Sequence, residues 1–76
     1  MEEIGDINGA AISLTNMGVL LFEQQRPEEA APLLLHAYRI FEQIGSPNLK
    51  VPKSYLNAII GQIGEARFEE IINSTE

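Results

Sequence analysis

The stretch Ala10-Ala11-Ile12-Ser13-Leu14-Thr15-Asn16-Met17-Gly18-Val19-Leu20-Leu21-Phe22 spaces Ala10, Ala11, Leu14, Met17 and Leu21 mostly three or four residues apart. That is the 3.6-residue period of one helix face. The polar run Asp6-Ile7-Asn8 ahead of it supplies side chains that cap backbone amides, so a first helix is expected over about 8–24. Pro27 follows where a first helical turn tolerates a missing amide hydrogen, and Glu28 and Glu29 set negative charge on the positive end of the dipole. A second helix therefore runs from Pro27 through Ala30, Leu34, Ala37, Tyr38 and Phe41 to Ile44, closed by Gly45. Pro32 lies inside it and predicts a mild bend rather than a break.

Beyond Gly45 the chain is expected to be a loop or loosely wound over Ser46 to Pro52, because Pro52 disfavours helical backbone at Val51. A third helix is expected from Pro52 or Lys53 to Gly64, and a short fourth from Glu65 to Ile72. No segment alternates with the period of two that marks a half-buried strand. The expected class is all-α: one domain over 1–76, built from an antiparallel helical hairpin, a third helix and a short closing helix.

Composition narrows the function. A chain of 76 residues with net charge −6 has room for one small core and repels phosphate backbones and anionic lipid, so nucleic acid and membrane are not expected partners. Zero Cys removes disulfides, thiolate nucleophiles and Cys-based zinc sites, and favours the cytoplasm. The opening Met1-Glu2-Glu3-Ile4 has neither basic nor apolar signal character, and no apolar run approaches a membrane span.

Self-similarity carries the most information. Glu3-Ile4-Gly5-Asp6-Ile7-Asn8 returns as Gln43-Ile44-Gly45-Ser46-Pro47-Asn48, Leu14-Thr15-Asn16 as Tyr55-Leu56-Asn57, and Arg26-Pro27-Glu28-Glu29-Ala30 as Arg67-Phe68-Glu69-Glu70-Ile71. Three blocks in one order at offsets of 40 to 41 residues describe a two-helix unit that stacks on a copy of itself. The wide apolar wrap of the second helix, Leu33-Leu34-Leu35 with Ala37, Tyr38, Ile40 and Phe41, independently asks for packing on two sides.

These residues resemble a tetratricopeptide repeat, with Leu14 at its large position, Met17-Gly18 at Leu-Gly, Leu21 and Leu34 at the aromatics, and Ala30 and Ala37 at the two alanines. The resemblance places close backbone crossings at Gly18, Ala30 and Ala37. Glu42 stands where the family closes with proline, and the unit is longer than the common repeat of about 34 residues. It looks like the longer kinesin-light-chain-like and bacterial arrays, with one full unit over about 8–45 and a partial unit over about 53–73. Met1 to Gly5 would then be the last turn of an earlier unit, and the chain the closing end of an array.

His36 is the only histidine, and its helical neighbours Pro32, Leu33, Arg39 and Ile40 include no carboxylate to orient it, so no enzyme, cofactor or metal centre is expected. The pairs Glu2-Glu3, Glu28-Glu29 and Glu69-Glu70 read as helix-dipole complement or solvated surface. The resemblance implies a binding module instead. It would set Asn16, and more weakly Asn57, in a concave groove facing an extended peptide, with Thr15, Val19, Phe22 and Glu23 lining it and Ile12 at its edge. A side-chain amide donates and accepts at once, as a peptide unit does, although an Asn16 that merely faces solvent fits the residues equally well. The expected partner is a protein or peptide; the alternative is a structural role in which the chain homodimerises, or swaps elements, through its first helix.

Overall fold

The computed structural model describes the backbone of residues 4–75 and the side chains of residues 6–74. It is all-α: α1 (Ile4–Glu23), α2 (Pro27–Gln43), a 3-10 turn (Pro47–Leu49), α3 (Lys50–Ile63) and α4 (Glu65–Thr75). No strand occurs among the described residues.

α1 starts at Ile4, not near Asn8 as its polar run suggested. Gly5, Asp6, Asn8 and Gly9 are wound into the helix, where an exposed glycine costs only about 1 kcal/mol relative to alanine. Of the expected turn at Met1 to Gly5, the last two residues belong to α1, while Met1 to Glu3, including the Glu2-Glu3 pair, lie outside the described residues.

α1 and α2 end in the same way. Gln25 takes φ +65, with the Arg26 amide donating to the Leu21 carbonyl at 2.8 Å and the Gln25 amide to that of Phe22 at 3.0 Å. Gly45 takes φ +70, with the Ser46 amide donating to Phe41 at 2.9 Å and the Gly45 amide to Glu42 at 3.2 Å. Both are the paired closing bonds of a helix ended by a left-handed residue. Pro32 sits inside α2 without interrupting it.

The two helices lie antiparallel. Near one end Ala11 packs with Ala37 and Phe41; further along, a Cβ built on Gly18 would fall 2.6 Å from Leu34 Cγ and 3.5 Å from the Ala30 carbonyl oxygen. Ala11, Ala30, Leu34 and Ala37 are fully buried. Small residues at the crossing bring the backbones together, and each fully buried large side chain such as Phe41 or Leu34 contributes roughly 1.5–3 kcal/mol.

The segment expected as a loop is wound. The Ser46 hydroxyl accepts from the Asn48 amide at 3.1 Å, Pro47 opens the 3-10 turn, and α3 begins at Lys50 instead of Pro52 or Lys53. Pro52 occupies the first turn of α3, where its missing amide hydrogen has no intrahelical acceptor to lose. Gly64 breaks α3 from α4 at φ 89 and ψ 155, a region reserved for glycine. α4 continues to Thr75, three residues past its expected end.

α2 touches all the other elements. α3 runs in the direction of α1, since Val51 shares a hollow with Ile12 and Asn16 while Tyr55 meets Phe22 further along. α4 runs in the direction of α2: Arg67 pairs with Glu28 near both helix starts, and Ile71 and Ile72 pack into the cluster around Ala31 and Leu34. The burial pattern repeats as well. Ala11, Thr15 and Gly18 are buried on α1, and so are Pro52, Leu56 and Ile59, each 41 residues on, on α3. Leu14, Val19 and Phe22 are half-buried, as are Tyr55, Ile60 and Ile63. The offset of 41 residues in solvent exclusion is also that of two of the three sequence blocks.

Candidate functional site

Ile12, Thr15 and Asn16 come to one hollow because α1 presents positions three and four apart along one side. Phe41 from α2, Asn48 from the 3-10 turn and Val51 from the start of α3 complete it, with a volume of about 220 Å³. Ile12 is 40% exposed and Val51 47%, so the rims are apolar and open to solvent, while Phe41 is buried beneath. The lining contains no charged residue; its exposed polar groups are the amides of Asn16 and Asn48. Among the described residues no hydrogen bond holds either side-chain amide. Two amides above an apolar floor suit a partner that offers peptide groups and one apolar side chain.

The remaining residues named from the sequence divide. Thr15 is buried, and its hydroxyl donates to the Ala11 carbonyl at 2.8 Å, so it shapes the hollow without offering a donor. Val19 is half-buried against the core. Phe22 stacks edge-on against Tyr55, with centroids 5.4 Å apart and planes at 77°, and ties α1 to α3. Glu23 and Asn57 are exposed and do not line the hollow. Three contributors escaped the sequence reading. Phe41 read as core, and Asn48 and Val51 fell in a segment expected to be a loop, where no register could place them; the return of Asn8 as Asn48 was the one available signal.

Charge is concentrated elsewhere. The Arg67 guanidinium spans Glu28, Nε to Oε2 at 3.1 Å and Nη2 to Oε1 at 2.9 Å, and its Nη1 reaches Glu70 Oε1 at 3.1 Å. Hydrogen bonding from Arg67 holds the Glu28 carboxyl below its ordinary value, and the bonds to Glu28 and Glu70 raise the guanidinium still further above neutrality. This two-pronged pair fastens the start of α4 to the start of α2. It is half-exposed, so it orients more than it stabilises.

His36 is exposed on α2 beside a second hollow lined in part by Leu14, Pro32 and Leu33. Among the described residues no three His, Asp or Glu side chains gather as a metal ion would require, and no helix is long and apolar enough to cross a membrane. No family model, curated protein or solved structure matches the chain.

Proposed function

We propose that the chain is a protein-interaction module of tetratricopeptide-repeat type, without catalytic activity, that holds an extended peptide or protein segment in the hollow between α1 and α3. The observation that carries this is the pair of unengaged amides, Asn16 and Asn48, on either side of the apolar surface made by Ile12, Val51 and Phe41. The repeat reading is supported by the match between the 41-residue offset in burial and that of two of the three sequence blocks, and by the close approach of Gly18 to Leu34 and Ala30. An all-protein partner also suits a surface of net charge −6, and the absence of cysteine suits a reducing cytoplasm.

The test is selection from a random peptide library on the immobilised chain, followed by titration of the selected peptides. Asn16→Ala and Ile12→Asp are expected to weaken binding at least five-fold at unchanged helicity, and His36→Ala, on the other side of the hairpin, to leave it alone. Peptides that bind wild type and both groove variants equally would count against the reading.

A further inference from the structure

We propose that the segment held between α1 and α3 carries both signs of charge at a set spacing, an acidic side chain beside its apolar anchor and a basic one about four residues away. The inference rests on the groove reading and gives the partner a chemistry. Ile12, Asn16, Val19 and Glu23 recur at steps of four, three and four, and so share one stripe of α1. The first two line the hollow, and Glu23, the last residue of the helix, is exposed beyond them. Beside it Phe22 meets Tyr55, so this end of α1 still faces α3. At the other end Lys50 lies in sequence between Asn48 and Val51, both of which line the hollow, and Lys53 follows one turn on. Both lysines are exposed. Asp6, six residues before Ile12, falls about 120° off the stripe.

Among the described residues no carboxylate pairs with Lys50 or Lys53 and no cation with Glu23, while Arg26 and Arg67 each reach a glutamate. Positive charge in the first turn of α3 and negative charge at the end of α1 both oppose the helix dipole, so neither placement serves its own helix. Because α1 and α3 run in the same direction, the two signs stand at opposite ends of one groove, with an uncharged hollow nearer the lysines. A segment of one sign would gain at one end and lose at the other, and an acidic one would also meet the net charge of −6. A neutral segment bearing both signs gains at both ends. The spacing follows from the helix rise. From Asn16 to Glu23 α1 climbs roughly 10 Å, and from Ile12 roughly 16 Å, which is about three to five residues of extended chain. Since the hollow lies at the Lys50 end, anchor and acid are neighbours and the base stands apart.

Fluorescence anisotropy on the whole chain with short fluorescein-labelled peptides tests this. Each peptide has a single Leu. One carries Glu next to it and Lys four residues away, a second exchanges the two charges, and a third has Gln at both places. The off-centre anchor makes the comparison independent of the direction in which the chain is bound. The first peptide is expected to bind about five-fold tighter than the second, the scale of exposed ion pairs, with the third between them. Raising salt to roughly 0.5 M should shrink these differences. Lys50→Glu, Lys53→Glu and Glu23→Lys combined should reverse the order of the first two peptides, in a chain that stays helical because the new charges suit the helix dipoles. Equal binding of the three, a tighter second peptide, or an order that the combined variant leaves unchanged overturns the charge inference; loss of binding in Ile12→Asp would then still uphold the groove. Peptides that bind Ile12→Asp as they bind wild type, or no binding by any of them, overturn both.

Discussion

Adding one methyl group at Gly18 puts the helix crossing under direct load. The new Cβ would stand 2.6 Å from Leu34 Cγ and 2.7 Å from its Cδ2, roughly 1 Å inside the usual 3.5–4.0 Å carbon contact. Leu34 is fully buried at the centre of the core and has no solvent to turn into. Overpacking of this kind costs about 1–3 kcal/mol, while replacing a mid-helix glycine by alanine returns about 1 kcal/mol of helix propensity. The expected net effect of Gly18→Ala is a loss of about 1 kcal/mol. Gly61 supplies the control: it is helical, and a Cβ there meets nothing within 4 Å, so Gly61→Ala is expected to stabilise by about 1 kcal/mol. The gap of about 2 kcal/mol corresponds to roughly 8–16 °C in a domain of this size, read by far-ultraviolet circular dichroism at one fixed protein concentration. Leu34→Ala should be destabilising by about 2–5 kcal/mol alone, yet in that background Gly18→Ala should turn neutral or stabilising. If Gly18→Ala melts as high as Gly61→Ala, the crossing is not where these atoms put it.

Gln25 holds a left-handed conformation at φ +65 that glycine adopts freely, so Gln25→Gly is expected to stabilise by about 0.5–1 kcal/mol and Gly45→Ala to destabilise by about 1 kcal/mol, both measured by urea denaturation. Phe22→Ala is expected to lower stability by about 2 kcal/mol through loss of the Tyr55 contact; a peptide-binding defect in that variant with an unchanged melting temperature would place Phe22 in the groove after all. The carboxyl of Glu28 titrates below its ordinary value because of Arg67. Its contribution is therefore complete above the ordinary carboxylate value, and is lost as pH falls through the lower folded value. Arg67→Ala should flatten that part of the acid-unfolding curve below about pH 4.5; identical acid curves for variant and wild type would remove the pair from the account.

The hairpin was legible in the sequence because its signals are local. Pro27, the two glutamates after it and Gly45 mark both ends of α2, and Gly18, Ala30 and Ala37 mark where backbones approach. The errors came where a residue has two uses. Asp6 and Asn8 are good caps but also sit in a helix at little cost, so α1 began earlier than they implied. Pro47 and Pro52 read as loop formers, yet each occupies a first turn that needs no amide hydrogen, so the chain winds through both. That misreading hid half of the groove, since Asn48 and Val51 reach Ile12 and Asn16 only when 47–51 is wound. Gln25 in place of a closing glycine and the Glu28–Arg67 pair left no sequence signal, the first because any residue can be forced left-handed by its surroundings, the second because its partners lie 39 residues apart.

α1 divides its surface three ways, and the division accompanies a run, 7–22, without a charged residue between Asp6 and Glu23. One side, Ala11, Thr15 and Gly18, is buried in the hairpin; a second, Ile12 and Asn16, opens on the groove; a third, Met17 and Leu20, is exposed to solvent. A helix that served only the first side would carry charge on the rest, as α4 does with Glu65, Glu69 and Glu70. Apolar or amide side chains on all three sides are a cost in solubility with no return in the hairpin's own stability. On the proposed reading, the side bearing Ile12 and Asn16 is the one a held peptide covers.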